Sequence, residues 1–222
     1  MQVDTWVAAI RNAGERIGDA SVSRPLSHKE QEFLAFIFRS VFNPDGEEDI
    51  DRLIGNALAE LRLHDLSKIP ARPRDPEYRM AQSAIFILGN DAITLGRDVY
   101  FRRLPPQNSE LPLVGHEATH YLESILKDRG TRQWQAEYFI DYAQQMARGS
   151  KHKEAYLGIV SELIAFSVDD TIFDILDKYD RLFKDVAKGE DIDAKYPGLR
   201  DEIKALFQRH YMRRYRENRR ER

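Results

Sequence analysis

The central part of the sequence reads LVGHEATHYLE, from Leu113 to Glu123, and it contains a His-Glu-x-x-His motif. On an α-helix, residues four positions apart lie one above the other on the same face. His116 and His120 can therefore direct two imidazole rings at one metal ion, with Glu117 beside them. This spacing is typical of a zinc site in which the glutamate acts as a general base on a water molecule.

The residues around the motif predict the helix that it needs. An apolar stripe recurs at helical spacing and is expected to face the core, whereas the two histidines fall on another side, where a cleft could lie. The stripe consists of Val114, Ala118, Tyr121, Leu122 and Ile125. Ser109 is the expected N-cap, Glu110 provides an acid in the first turn, and Pro112 is tolerated at the beginning of a helix.

The composition limits the classes of protein to consider. The 222 residues suffice for one large domain or two small ones, and a hydrophobic content of 42% can form a substantial core. The charged fraction of 32% indicates a soluble protein, and the net charge of -3 argues against a general nucleic-acid binder. The chain has no cysteine, so any zinc ion must be held by histidine and carboxylate.

Neither a membrane span nor a secretory signal is predicted. No apolar run approaches the roughly 18 residues that cross a bilayer. The N-terminus carries Asp4, Arg11 and Glu15 and lacks an uninterrupted apolar segment, unlike a signal peptide. We therefore expect a cytoplasmic protein, or one that is exported by a route without a signal peptide.

The first third of the chain, residues 1–68, is predicted to be a helical subdomain without chemistry of its own. Apolar periodicity predicts helices over residues 3–18, 27–42 and 48–62. Ser27 and Glu30 form a capping-box pattern at the beginning of the second helix. The proline-rich loop at 69–76 is the expected boundary to the next unit.

Residues 77–188 are predicted to form the unit that carries the motif. Short runs of β-forming residues between turn residues predict a small antiparallel meander before the motif helix. Its strands are expected at 83–88, 92–95 and 99–102. After the motif, apolar periodicity predicts helices at 132–147 and 151–187, the second one bent near Asp169 and Asp170.

The last segment, residues 189–222, is predicted to be a C-terminal helix with an arginine-rich tail. A break at 196–198 interrupts the helical pattern, and a final amphipathic helix begins at Leu199. Seven arginines and two glutamates stand between Arg209 and Arg222. Together, the three segments predict a mostly helical α+β protein that packs as one compact unit.

Two histidines are not enough for a catalytic zinc site, which needs three protein ligands and an open position for water. Glu162 is the preferred third ligand because it is a lone acid among apolar neighbours, where an ionised carboxylate is costly unless a cation compensates it. Glu137 and Glu123 are the alternatives. Asp169 follows Glu162 by seven residues on the same helix face and is a candidate for orienting a ligand histidine.

The motif and the strand pair before it resemble a known family. Residues 92–101 read AITLGRDVYF, and residues 113–120 read LVGHEATH. Together they resemble gluzincin-type zinc metallopeptidases and, more narrowly, small bacterial metallopeptidase-like domains that occur in toxin, effector and injection-system proteins. The resemblance covers residues 83–170. It implies a zincin-like core for residues 77–188, a zinc cofactor and hydrolysis of peptide bonds.

These observations predict a zinc-dependent hydrolase whose substrate is a peptide or a protein. His116, His120 and Glu162 are expected to hold the Zn2+ ion. Glu117 is expected to take a proton from the attacking water and to pass it to the leaving amine.

Two further roles follow from position in the sequence. Tyr156, or alternatively His152, is expected to donate a hydrogen bond to the oxyanion that forms during hydrolysis. The strand expected at 99–103 is a candidate for pairing with an extended substrate.

Two other functions compete with hydrolysis. The metal could fix the fold of a module that binds partners without catalysis. Alternatively, the six arginines between Arg213 and Arg222 could contact the phosphates of a nucleic acid. Such a run is more often a solvated helix end, so a nucleic acid is not the expected partner.

Overall fold

A computed structural model describes residues 22–68, 91–126, 130–147, 149 and 152–220. The described part is mostly helical and contains one small sheet, which confirms the predicted α+β class. Some predictions fall outside the described residues, namely the helix at 3–18, the loop at 69–76 and the strand at 83–88.

Within the described ranges, the sheet has four strands in the order β1-β2-β4-β3. They are β1 (Val22–Pro25), β2 (Arg62–Asp65), β3 (Ala92–Leu95) and β4 (Asp98–Phe101). β3 and β4 form the predicted antiparallel hairpin, with Leu95 opposite Asp98 and Gly96 in the turn at a φ of 68°. β2 pairs with β1 in antiparallel and with β4 in parallel orientation, so the sheet is mixed. The first strand of the predicted meander lies outside the described residues, so the complete meander stays a prediction.

The sequence pattern does not predict the strands β1 and β2 because, unlike β3 and β4, neither pairs with a strand that is close to it in the sequence. The helix expected at 48–62 ends at Glu60, since Leu61 adopts an extended backbone (φ -60°, ψ 134°) and the chain continues as β2. Residues 22–68 therefore contribute two strands to the sheet that precedes the motif. The division of the chain at 69–76 stays a prediction.

Residues 22–68 contain two α-helices, α1 (His28–Phe42) and α2 (Glu48–Glu60). The capping box is confirmed, because the Glu30 N–H donates to Ser27 Oγ at 3.2 Å and the Ser27 N–H donates to the Glu30 carboxylate at 2.7 Å. One run of α1 is wholly buried and forms part of the core. Its apolar members are Phe33, Leu34, Ala35, Phe36, Ile37 and Phe38.

The motif lies on α3 (Leu111–Leu126), which runs through the interior of the protein. Every residue from 114 to 124 is buried, so the histidines are buried together with the predicted apolar stripe. Gly115 permits this close packing, because a Cβ atom there would lie 2.4 Å from Ile172 Cδ1 and 3.3 Å from Leu34 Cδ2.

The beginning of α3 differs from the prediction. The Ser109 hydroxyl donates to the carbonyl oxygen of Pro106 at 2.7 Å and does not cap the helix. Glu110 precedes the first helical residue with a φ of 49°, and its carbonyl accepts from the Val114 N–H at 3.1 Å. Ser109 as the N-cap is therefore wrong, whereas Pro112 lies in the first turn as expected.

Six helices follow α3 in the described part of the chain. They are α4 (Gly130–Ala147), α5 (His152–Leu157), α6 (Val160–Lys178), α7 (Leu182–Ala187), α8 (Ile192–Lys195) and α9 (Leu199–Arg220). The single helix expected at 151–187 is thus three helices. Ile159 has an extended backbone (φ -70°, ψ 130°) that separates α5 from α6, whereas Asp169 and Asp170 lie within α6.

One apolar cluster connects the N-terminal helices, the sheet, α3, α6 and the C-terminal helices. α9 begins at Leu199 as predicted and packs on α6 and α1. None of the helices in the described ranges is both long enough and apolar enough to span a bilayer.

Candidate metal centre

The packing of α3 against α6 brings the three predicted metal ligands together. Glu162 lies in the first turn of α6, and its carboxylate faces both motif histidines. Glu162 Oε2 is 3.4 Å from His116 Nε2, and Glu162 Oε1 is 3.3 Å from His120 Nε2. Atoms about 2.1 Å from a tetrahedral zinc ion stand roughly 3.4 Å apart, so these distances suit a shared ion.

The two carboxylate oxygens of Glu162 have different surroundings. Oε1 accepts a hydrogen bond of 2.6 Å from the Tyr138 hydroxyl on α4. Oε2 is buried and has no hydrogen-bond partner among the described residues, although a buried carboxylate oxygen without a donor is costly. A cation near Oε2 removes that cost. The orphaned oxygen, together with the two imidazole nitrogens, therefore fits a metal ion that prefers nitrogen and oxygen ligands.

The ionisation of these residues reflects their mutual contacts. Burial alone would lower the pKa of His120, but the adjacent Glu162 carboxylate raises this pKa to about 9. Burial alone would raise the pKa of Glu162, but His120 and His116 hold it well below its usual range. Burial and the nearby Glu162 raise the pKa of Tyr138 well above its ordinary value, so its hydroxyl stays protonated and donates. Without a metal ion, a proton on His120 thus balances the charge of Glu162.

The side chain of Glu117 is held by the sheet. The Thr94 hydroxyl on β3 lies 2.7 Å from Glu117 Oε2 and 3.0 Å from the Glu117 carbonyl oxygen. Both oxygens are acceptors, so the single hydroxyl proton is directed at the backbone and carboxylate of one residue. β3 therefore fixes the carboxylate of the predicted general base, which acts electrostatically on His120.

A second contact holds the ring of His120. Its Nδ1 atom lies 3.2 Å from Ser161 Oγ, the residue immediately before Glu162. The Ser161 hydroxyl in turn donates to Glu123 Oε2. All three residues are buried, which removes competition from water.

The ring of His116 packs against an aromatic residue. The ring centroids of His116 and Phe166 are 4.5 Å apart, with an interplanar angle of 71°. The guanidinium carbon of Arg214 on α9 lies 4.9 Å from the centre of the Phe166 ring. The C-terminal helix therefore contributes to the wall behind His116.

Comparisons with protein-family models, curated proteins and solved structures found no match. The geometry of the site therefore carries the functional argument by itself.

The alternative third ligands occupy other positions. Among the described residues, the cluster with metal-ligand spacing consists of His116, His120 and Glu162 and includes neither Glu137 nor Glu123. Glu123 accepts the hydrogen bond from Ser161, and Glu137 is half-buried on α4. The packing of α3 on α6 favours Glu162 because the first turn of α6 faces the histidines.

The predicted orienting and donor residues have mixed outcomes. Asp169 makes no hydrogen bond with His116, although His116 acts on it electrostatically and burial raises the pKa of Asp169. The ring of Tyr156 packs edge-on against Phe166, with centroids 6.3 Å apart. The side chain of His152 lies outside the described residues. The donor roles of Tyr156 and His152 stay predictions.

The strand that was expected to receive a substrate cannot do so. Residues 98–101 form β4, which pairs with β2 on one side and with β3 on the other. Its backbone groups are used within the sheet, so the prediction of an exposed strand at 99–103 is wrong. In the described part of the sheet, the strands at the two ends of the order are β1 and β3.

Part of the arginine-rich tail is engaged within the protein. Arg213 Nη2 donates to Asp170 Oδ2 at 2.9 Å, and Arg214 donates to the same oxygen through Nη2 at 2.7 Å. Two of the arginines expected to meet phosphates therefore pair with α6. Nucleic-acid binding through the tail stays a prediction.

Three residues of the site are missing from the sequence prediction, namely Thr94, Tyr138 and Ser161. Thr94 stands in the strand pair that carries the family resemblance, and Ser161 stands next to Glu162, so both positions held a signal. Tyr138 had none, because it comes from α4 and only the packing of that helix brings its hydroxyl to Glu162.

Proposed function

We propose that this protein is a zinc-dependent hydrolase of peptide bonds. His116, His120 and Glu162 are the metal ligands, and Glu117 is the general base. One observation carries the proposal: the buried carboxylate of Glu162, whose Oε2 has no donor among the described residues, lies together with the imidazole nitrogens of His116 and His120. Such a set has three protein ligands, which leaves a coordination position for water or substrate. Glu117 follows His116 directly in the sequence.

The adjacent glutamate favours hydrolysis over simple metal storage. A bound zinc ion supplies Lewis acidity, which makes water a nucleophile near neutral pH and polarises a carbonyl group. Glu117 follows His116 directly, and its carboxylate accepts only one hydrogen bond from the sheet, that of Thr94 Oγ1 on Oε2. It can therefore accept a proton from water and return it to a departing amine.

The contacts of the ligands support the same assignment. Tyr138 donates to Glu162 Oε1, the oxygen next to His120 Nε2, and Oε2 faces His116 Nε2. Ser161 holds His120 by Nδ1, so the Nε2 atom faces the shared space. Metal-binding residues commonly have such partners, which fix the orientation of each ligand.

The test separates metal binding from catalysis. Protein purified without added metal is analysed for bound metal, loaded with zinc, and assayed on a library of internally quenched peptides. We expect about one zinc ion per chain, as follows from one three-ligand site. Glu117→Gln keeps the side-chain shape but removes the base, so it should retain zinc and lose at least about a hundredfold in hydrolysis rate.

Glu137→Gln is the matched control because Glu137 lies on α4 beside Tyr138 but outside the ligand cluster. It should keep both the zinc and the hydrolysis. Equal hydrolysis by the Glu117→Gln variant and the unchanged protein would overturn the assignment of the base. Loss of zinc in the Glu137→Gln variant would overturn the ligand set.

The burial of the site favours one second candidate, a metal that fixes the fold without catalysis. His116, Glu117 and His120 have exposed fractions of 4%, 5% and 5%, and Glu162 has 2%. In that case the protein holds zinc, unfolds at a much lower temperature after chelation, and hydrolyses no peptide of the library. Hydrolysis that is abolished by a chelator and restored by zinc contradicts this second candidate.

A further inference from the structure

The buried pair Glu123 and Ser161 connects the two helices that carry the candidate ligands. Glu123 lies three residues after His120 on α3, and Ser161 lies one residue before Glu162 on α6. Ser161 Oγ contacts Glu123 Oε2 on one side and His120 Nδ1 on the other. α6 thus delivers a metal ligand and, next to it, a hydroxyl group that touches another ligand.

A count of protons determines the direction of these hydrogen bonds. A serine hydroxyl has one proton and can accept through its lone pairs, whereas a carboxylate can only accept. Ser161 therefore donates its proton to Glu123 and is an acceptor toward His120 Nδ1. The proton of a neutral His120 is then required on Nδ1, and the lone pair is left on Nε2.

The Nε2 atom is the one that faces Glu162, at 3.3 Å from Oε1. A neutral imidazole binds a metal only through the nitrogen that carries no proton. The wrong tautomer, with the proton on Nε2, would have to lose that proton before the ion could bind. When the ion replaces the Nε2 proton of His120, the arrangement of Ser161 and Glu123 keeps the remaining proton on Nδ1.

We propose that Glu123 and Ser161 are positioning residues that fix the tautomer and the ring orientation of His120 for metal binding. This inference rests on the proposed function, since it takes His120 as a metal ligand. It assigns a role to Glu123, which the sequence offers only as an alternative ligand. It also explains why a buried carboxylate on α3 stands so close to the ligand cluster without joining it.

The test measures zinc affinity by competition with a chromophoric chelator, together with the state of the His120 ring by 15N NMR of zinc-loaded protein. Ser161→Ala removes the acceptor for Nδ1–H and should weaken zinc binding by about 10- to 100-fold, the range known for such partners. Ser161→Thr keeps the hydroxyl and should restore most of the affinity. In the unchanged protein, the Nδ1 proton of His120 should exchange slowly with water, and in Ser161→Ala faster.

Ser167→Ala is the matched control. Ser167 is also buried on α6, but its hydroxyl donates to the Leu163 carbonyl within the helix, so this variant should bind zinc like the unchanged protein. Glu123→Ala provides a second route, since it frees the Ser161 proton to be donated to Nδ1 and so favours the wrong tautomer. It should weaken zinc binding as Ser161→Ala does, even if the serine variant does not fold.

Two results overturn the inference in different ways. If Ser161→Ala and Glu123→Ala bind zinc as tightly as Ser167→Ala and keep the slow Nδ1 proton, the pair has no positioning role while the metal site stands. If neither the unchanged protein nor Ser167→Ala binds zinc, the proposed function fails and the inference fails with it.

Discussion

Two buried glutamates in this protein, Glu30 and Glu162, have opposite relations to their surroundings. Glu30 is fully buried, and both of its oxygens are satisfied by the chain. Oε1 accepts from Arg24 Nη2 at 3.0 Å and from the Asn108 N–H at 2.9 Å, and Oε2 accepts from Arg24 Nη1 and the Ser27 N–H, both at 2.7 Å. Glu162 is as deeply buried, but its Oε2 has no donor.

The difference distinguishes a carboxylate with a structural role from one that we propose to be functional. Burial alone would raise the pKa of Glu30, but Arg24 and two backbone N–H groups hold it below its ordinary value, so the charge is compensated within the fold. For Glu162 the fold supplies two histidines, which compensate the charge only when protonated. Burial of an acid is therefore a weak sign of function, and incomplete satisfaction of its oxygens is the stronger sign.

The largest effect is expected when Glu30, whose two carboxylate oxygens both have donors, is replaced. Glu30→Ala leaves the Arg24 guanidinium, which is 15% exposed, without its partner and removes the acceptor for Ser27 and Asn108. We expect a loss of about 3–5 kcal/mol in the free energy of unfolding of the metal-free protein. Chemical denaturation measures it, with Glu32→Ala on the exposed side of the same helix as the control. A loss below that of the control would contradict the structural role of Glu30.

The second prediction concerns Glu162, whose Oε2 has no donor among the described residues. Glu162→Gln should weaken zinc binding by more than about 100-fold, because residues that only touch ligands already contribute 10- to 100-fold. Its effect on the metal-free protein should be smaller than that of Glu30→Ala, since Glu162 has fewer donors to lose. Chelator competition and denaturation measure the two quantities. Unchanged zinc affinity in Glu162→Gln, or equal losses of stability in Glu162→Gln and Glu30→Ala, would contradict different roles for these two glutamates.

The most gradual effect is a dependence of stability on pH, with a slope of at most about 1.4 kcal/mol per pH unit for each titrating group. The lowered pKa of Glu30 means that its stabilisation is present above about 4.5 and is lost as the pH falls through the folded-state value. The raised pKa of His120 means that its stabilisation is present below 6.5 and is lost as the pH rises through about 9.

Zinc binding should change only one part of the curve of stability against pH, namely the alkaline limb due to His120 and not the acidic limb due to Glu30. A bound ion replaces the proton on His120, so the loss between pH 6.5 and 9 should be seen only in the metal-free protein. In the metal-free protein, His120→Ala should not change the pH at which the stabilisation by Glu30 is lost. Thermal melting across the pH range, with and without zinc, measures both limbs. If the zinc-bound and the metal-free protein lose the same amount of stability between pH 6.5 and 9, His120 is not a metal ligand.

Local signals in the sequence predict local structure well here. The capping box at Ser27, the hairpin of β3 and β4, and the beginning of α9 at Leu199 are all found where the pattern places them. Each of these depends on interactions between residues that are near one another in sequence. The sequence pattern does not predict the strand β2 because its partners, β1 and β4, are distant from it in sequence.

By itself, the sequence determined the helix that carries His116, Glu117 and His120, because a spacing of four residues fixes which side chains share a face. It also indicated Glu162, because a lone acid among apolar residues needs compensation. The lack of a donor at Glu162 Oε2, and the hydroxyl groups that contact Glu117, His120 and Glu162, depend on how the helices and the sheet pack together. The reason is physical, since the hydrogen bonds from Thr94, Ser161 and Tyr138 form between separate elements whose approach is set by the packing of α3 against the sheet, α6 and α4.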